Sequence, residues 1–201
     1  MTARTDTRAR ILGAGGELFR RRGFAATGLK AILAASDAPY GSLYHFFPGG
    51  KEELGVAVLR DGGDFYRVLV ETYFAPGADV VDATRRFFED AAVVVREHDY
   101  ADACPIATVA LEVASASEPL RRATAEVFER WITGAAARLA RDGVAADRAR
   151  ELAILLFNLL EGAFVLSRAS RSAEALDVAG AAAAAAVEAA LTEASEVRPV
   201  P

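Results

Sequence analysis

Residues 38–51 read Ala-Pro-Tyr-Gly-Ser-Leu-Tyr-His-Phe-Phe-Pro-Gly-Gly-Lys, APYGSLYHFFPGGK. Pro39 suits the first turn of a helix, where its missing N–H has no intrahelical partner to lose. Pro48-Gly49-Gly50 then stops the chain. Only a very short helix fits between the two prolines, and a helix that short does not hold itself together in water. It must therefore be docked on its neighbours. Leu43 and Phe47, four positions apart, are assigned inward as the anchor. Tyr40, Gly41, Ser42, Tyr44 and His45 are left for a surface, and Phe46 is open between the two.

Upstream, Ile11, Leu12, Leu18 and Phe19 recur at helical spacing from Thr5 to Arg22, and Arg20-Arg21-Arg22-Gly23 supplies cations and a glycine cap. Thr27 can cap a second short helix from Leu29 to Ala35, with Leu29, Ile32 and Leu33 inward. Two short helices joined by Ser36-Asp37-Ala38 are the layout of a helix-turn-helix. Charge agrees with that layout. The chain has a formal net charge of -5, yet residues 1–51 carry eight bases against three acids, a net +5, and the rest carries -10. A basic head on an acidic body points to a polyanion-binding module attached to a part with another task.

The remaining sequence is helical throughout. Glu52 and Glu53 suit the N-terminal dipole of a long helix that runs to Tyr73, before Ala75-Pro76-Gly77. Further helical patterns cover about Asp79 to Glu97, Pro105 to Ala114, Pro119 to Arg141, Asp147 to Arg168 and Ala173 to Ala194. With 53% hydrophobic and 25% charged residues and few strand-favouring runs, the expected fold class is all-α, with about nine helices. The expected organisation is a three-helix helix-turn-helix domain over 1–50, a helical body over 51–195 and a flexible tail over 196–201.

Several chemistries find no support. The single cysteine, Cys104, cannot form an internal disulfide, and no Cys/His cluster has metal-ligand spacing. No phosphate-binding glycine loop, nucleophile elbow or catalytic triad can be placed, so the expectation is no catalytic residues, no metal and no cofactor. MTARTDTRAR lacks the apolar segment of a signal peptide, and no stretch reads as about 20 strongly apolar residues, so a cytoplasmic protein without a membrane partner is expected.

Gly23-Phe24, Thr27, Ile32, Gly41-Ser42-Leu43-Tyr44-His45-Phe46-Phe47 and Lys51-Glu52-Glu53-Leu54 together resemble the N-terminal domain of TetR-type repressors. Ala38-Pro39 before Gly41, Gly49-Gly50, and Cys104-Pro105-Ile106 followed by Ala110-Leu111-Glu112 resemble the LmrA/YxaF-like subgroup. The resemblance implies a homodimer with two DNA-reading heads, a C-terminal body that binds a small apolar or aromatic ligand, and release of a palindromic double-stranded DNA operator on ligand binding. Three positions depart from the pattern: Asp37 where a turn glycine is usual, Tyr40 where a basic residue is frequent, and Phe46 where histidine or tyrosine is common.

On that reading, Pro39, Tyr40, Gly41 and Ser42 form the first turn offered to the major groove, with Tyr40 the leading base reader. Thr27, Ser42, Tyr44, His45 and Lys51 are the phosphate donors. Phe65, Phe88, Cys104, Phe128 and Trp131 are assigned to the ligand cavity, together with Asn158 and Glu161, polar residues within or next to an apolar run. Interhelical bonding remains the other role open to Asn158 and Glu161. Leu156, Leu160, Phe164, Ala183, Val187 and Leu191 are assigned to a four-helix dimer surface built by the last two helices. Two other functions stay open at this stage. One is a helical protein-interaction module without operator binding, and the other is a small helical enzyme acting on an apolar substrate.

Overall fold

The computed structural model describes residues 2–101 and 104–197, with side chains from 7–101 and 104–196. Among the described residues there are nine helices and no strand: α1 Thr2–Arg22, α2 Leu29–Ser36, α3 Tyr40–Phe46, α4 Gly50–Tyr73, α5 Val80–Glu97, α6 Pro105–Val113, α7 Glu118–Arg141, α8 Ala146–Ser170 and α9 Glu174–Val197. The all-α expectation therefore holds, with helix boundaries a few residues from those read in the sequence. The expected tail at 196–201 differs at its start, because α9 continues through Val197; residues 198–201 lie outside the described residues.

The helices fall into two compact units. The first holds α1, α2, α3, α4 as far as Tyr66, α6, and α7 as far as Val127. Here α1 packs against α2, α3 and α6. Ile11, Phe19, Ile32, Leu43, Phe47, Leu54 and Ile106 are all buried. Leu43 and Phe47 thus supply the inward anchor that a seven-residue helix requires. Two glycines permit close approach. A Cβ on Gly55 would lie 2.7 Å from the Phe24 ring and 2.8 Å from Leu120, and one on Gly63 would lie 2.7 Å from Val127. Such separations are too short for carbon atoms, so α4 can pass these side chains only where it has none of its own.

Local signals account for the helix ends, with two differences. Pro39 is the N-cap of α3 at φ -59° and ψ 144°, and the helix begins one residue later. Thr27 does not cap α2: Gly28 holds the N-cap position, and the Thr27 hydroxyl donates back to the Gly23 carbonyl at 2.7 Å. Gly49-Gly50 also acquires a role. Gly50 turns the chain at φ +70°, and the Glu53 carboxylate accepts from the Gly49 N–H at 2.6 Å, closing the start of α4.

The second unit holds α4 from Arg67, α5, α7 from Phe128, α8 and α9. Its core has two clusters, one around Phe88, Val95, Leu160 and Leu176, the other around Leu139, Leu152 and Val187. By length and apolar composition α8 and α9 could each cross a membrane. This corrects the expectation that no stretch of the chain is long and apolar enough to do so. Both helices place one stripe in this core, with Leu152, Leu160, Ala183 and Val187 buried, and leave a second apolar stripe outside.

Candidate functional site

The outward face of α3 is continuous. Tyr40 is 60% and Tyr44 45% exposed, one helical turn apart, with ring centroids separated by 5.7 Å. The neighbouring Tyr40 hydroxyl is the main reason the Tyr44 phenol is held above its ordinary pKa. Gly41 has open space where a side chain would be, so nothing holds the helix away from an approaching surface. Ser42 and His45 line an open groove with Thr7 of α1, while the Arg8 guanidinium lies over the Phe47 ring at 5.6 Å. Tyr40, Gly41, Ser42, Tyr44 and His45 are therefore on one accessible helix, with Leu43 and Phe47 beneath.

The turn ahead of α3 is held from behind. Asp37 caps α2 in the left-handed conformation at φ 48° and ψ 44°. Arg10 Nη1 donates to the carbonyls of Ser36 at 2.7 Å and Asp37 at 3.0 Å. The Asp37 carboxylate itself is exposed. Arg10 was not singled out in the sequence; its partners lie 26 and 27 residues away, beyond the reach of local pattern.

Lys51 and Thr27 are placed differently from simple phosphate donors. Thr27 is 1% exposed, its hydroxyl turned inward. Lys51 Nζ donates to the Ala25 carbonyl at 3.2 Å and sits 4.3 Å from the centre of the Phe24 ring. Partial burial lowers its pKa, and the nearby Glu112 carboxylate opposes that. Glu112, on α6, accepts from the Ala25 N–H at 2.8 Å. The loop between α1 and α2 is thus gripped by a carboxylate from α6 and an ammonium from α4. Gly23 makes room for the first: it has φ +78°, and a Cβ there would lie 1.6 Å from a Glu112 oxygen.

The second unit contains a cavity of about 200 Å³. Phe88 and Trp131 line it, along with Phe74, Phe87 and Phe157. Trp131 stacks on Phe157 at 5.8 Å and 26°, and Phe128 packs edge-on against Trp131 at 5.6 Å. The other ligand candidates lie elsewhere. Phe65 is 66% exposed and belongs, like Cys104, to the first unit. Cys104 is buried at the N-cap of α6. Asn158 is exposed and lines a shallow groove along α8 and α9 with Gly162, Leu166 and Val178. Glu161 is half-buried and is not among the cavity-lining residues. An amide inside an apolar run reads as buried only if the run itself is buried, and on α8 half of it is not.

The residues assigned to the dimer surface are packed within the protomer. Leu160, Ala183 and Val187 are buried, Leu156 and Leu160 line the cavity, and Phe164 and Leu191 pack against the two core clusters. The large apolar residues that α8 and α9 expose are Ile154, Leu155, Val165, Leu166 and Val178.

A solvent-facing second helix of a helix-turn-helix, in a chain whose other unit encloses an aromatic cavity, defines a helix-turn-helix transcriptional regulator. Comparison with known proteins gives the family. Residues 11–58 match the family model for bacterial regulatory proteins of the tetR family, and residues 80–182 match that of the transcriptional regulator LmrA/YxaF-like C-terminal domain. The chain belongs to the TetR family, in its LmrA/YxaF-like branch. It is 36% identical to the HTH-type transcriptional regulator YxaF of Bacillus subtilis over 83% of this chain and 87% of that one. It is 29% identical to LmrA of the same organism over 85% and 91%. Among solved structures, the reduced form of NemR from E. coli superposes with a TM-score of 0.75 at 25% identity, over 88% of this chain and 95% of that one. A TetR regulatory protein from Rhodobacter sphaeroides reaches 0.78 at 22% identity, over 89% and 97%.

Proposed function

We propose that this protein is a cytoplasmic repressor that binds a palindromic operator as a homodimer and leaves it when a small apolar or aromatic ligand fills the cavity of the second unit. The observation that carries the DNA-binding part is the two-sided α3, with Tyr40, Gly41, Ser42, Tyr44 and His45 outward over the buried pair Leu43 and Phe47. In the proposal α3 enters the major groove with its N-terminal turn leading. Tyr40 lies against a base edge or thymine methyl, and Pro39 and Gly41 allow close approach. Ser42, Tyr44 and His45 bond to phosphates. Lys51 gives one of its three ammonium donors to Ala25 and has others for a phosphate at the start of α4. Thr27 acts through the fold, keeping the α1–α2 loop in place.

The dimer is formed through the exposed stripe of α8 and α9, by Ile154, Leu155, Val165, Leu166 and Val178, with Asn158 at its groove. Small residues there, Gly162 and Ala182, let helices approach closely. Two heads then address half-sites about 34–36 Å apart, or a multiple of that spacing.

A gel-shift titration on the DNA upstream of the protein's own reading frame, extended by selection from genomic fragments, tests the central claim. The expected outcome is a sequence-selective complex whose affinity falls steeply with salt. Salt-insensitive or sequence-blind binding in both experiments would instead favour a protein-interaction module.

A further inference from the structure

The cavity of the second unit has walls of one kind and a rim of another. Trp131 and Phe157 stack as a flat surface, with Phe74, Phe87 and Phe88 also lining the space. Rings of this kind favour a planar aromatic guest, through offset or edge contacts worth more than simple burial. At about 200 Å³ the space is smaller than the roughly 300–1,000 Å³ of sites for drug-sized molecules, which restricts the guest to one or two fused rings.

The charged part of the lining has one dominant sign. Among the described residues around the cavity there are four arginines, Arg67, Arg130, Arg138 and Arg141, and one carboxylate, Glu71. Arg67 and Arg138 are committed internally. Arg67 pairs with Glu71 at 2.5 Å. Arg138 is buried, pairs with Asp142, and donates to the carbonyls of Phe74 at 3.1 Å and Ala78 at 2.8 Å. Arg141 lies on the same stripe of α7 as Arg130 and Arg138. Its Nε donates to the Ala137 carbonyl at 3.3 Å, and its terminal nitrogens enter no ion pair among the described residues. An anion leaving water for an apolar space is opposed unless its charge is met there, and a guanidinium meets a carboxylate with two parallel bonds.

We infer that the cavity takes a small planar aromatic anion, an arene carboxylate whose rings lie against Trp131 and whose carboxylate is met by Arg141. The inference rests on the proposal that this cavity is the effector site. It adds the charge of the ligand, which that proposal leaves open.

Isothermal titration of the full chain with 2-naphthoate, the neutral isostere 2-naphthamide, and 2-naphthylmethylammonium tests it. The expected result is that the carboxylate binds about tenfold or more tighter than the amide, with the cation weakest. Arg141→Gln should bring carboxylate and amide near parity. Arg141 is exposed, and unchanged circular dichroism would establish that the variant folds. The inference is overturned if the amide binds as well as the carboxylate, if none of the three binds at millimolar concentration, or if the preference survives in Arg141→Gln. A parallel gel shift separates this from the effector proposal. Carboxylate binding that leaves operator affinity untouched would remove the effector role and keep the anion preference. Operator release by the amide alone would do the reverse.

Discussion

Arg10 reaches across from α1 to Asp37 in the turn of the helix-turn-helix. One guanidinium nitrogen donates to the Asp37 carbonyl at 3.0 Å and lies 3.9 Å from the Asp37 carboxylate. The carbonyl bond fixes the turn, whereas the carboxylate, fully exposed, contributes little by pairing. A residue with a side chain in the left-handed region is held there by its surroundings, and it leaves a negative charge beside the proposed phosphate path.

Asp37→Gly therefore separates stability from DNA binding. Relief of the left-handed conformation favours the variant by about 1 kcal/mol, while the greater freedom of glycine in the unfolded chain offsets about 0.4–1 kcal/mol. Little change in stability is expected. Operator affinity at low salt should rise several-fold, with the difference shrinking as salt increases. Equal affinities at every salt concentration would mean that the carboxylate does not face the duplex.

Tyr40 and Tyr44 act as a pair, which two substitutions can divide. Tyr40→Ala should relax base preference at one position of each half-site, by about 1–3 kcal/mol of discrimination, with helicity and dimer unchanged. Tyr40→Phe keeps the ring but removes the hydroxyl that raises the Tyr44 pKa. Ultraviolet titration of tyrosinate should then show Tyr44 ionising at lower pH than in the parent. An unaltered titration would mean that the Tyr40 hydroxyl does not act on Tyr44 in solution.

Gly23 and Glu112 should show strong coupling. Gly23→Ala combines strain at φ +78° with displacement of the Glu112 carboxylate, whose bond to the Ala25 N–H is 2.8 Å long. The expected cost is about 2–4 kcal/mol. Once Glu112→Ala has already removed the carboxylate, the same glycine change should cost about 1 kcal/mol less. Urea unfolding of the four proteins gives the cycle, and strict additivity would argue that the contact is absent.

Acid stability can be traced to the start of α7. Glu118 accepts from Arg121 at 2.6 and 2.8 Å and from Arg122 at 2.7 Å, which brings its pKa down to about 2 from an ordinary 4.5. A carboxyl whose folded-state pKa is depressed contributes stability above its unfolded value and loses it as pH falls through the folded one. Glu118→Gln should therefore be less stable than the parent above about pH 4.5 and converge on it towards pH 2. Thermal melts across that range would reveal a constant gap if Glu118 had no such role.

The helices and the two-sided α3 were legible because each rests on local chemistry: Pro39 before a helix, Pro48-Gly49-Gly50 after it, and Leu43 and Phe47 four apart. What failed to show was pairing between distant positions. Glu112 is the sole charge in the α6 sequence PIATVALEV, but nothing nearby indicates that its partner is the Ala25 backbone, 87 residues earlier. Arg10 and Arg138 are hidden for the same reason. Cavity aromatics were partly legible, since Phe88 and Trp131 have the right spacing, but Phe65 has it too and is exposed.

The faces of α8 and α9 are the clearest case of a pattern without an answer, and they lead to a discriminating experiment. Both helices are apolar on two sides, so periodicity cannot say which side enters the protomer's own core. The fold buries Leu160, Ala183 and Val187 and leaves Val165 56%, Leu166 60% and Val178 64% exposed. If the exposed stripe is the dimer surface, Leu166→Glu combined with Val178→Glu should give a monomer of unchanged helicity by light scattering and circular dichroism. Operator affinity should fall with it, because a single head makes only half the contacts. Val187→Glu should behave differently, placing an unpaired charge among Leu139, Leu152 and Ala190 and unfolding the chain instead of dissociating it. A folded dimer of the double glutamate variant would move the interface to another face.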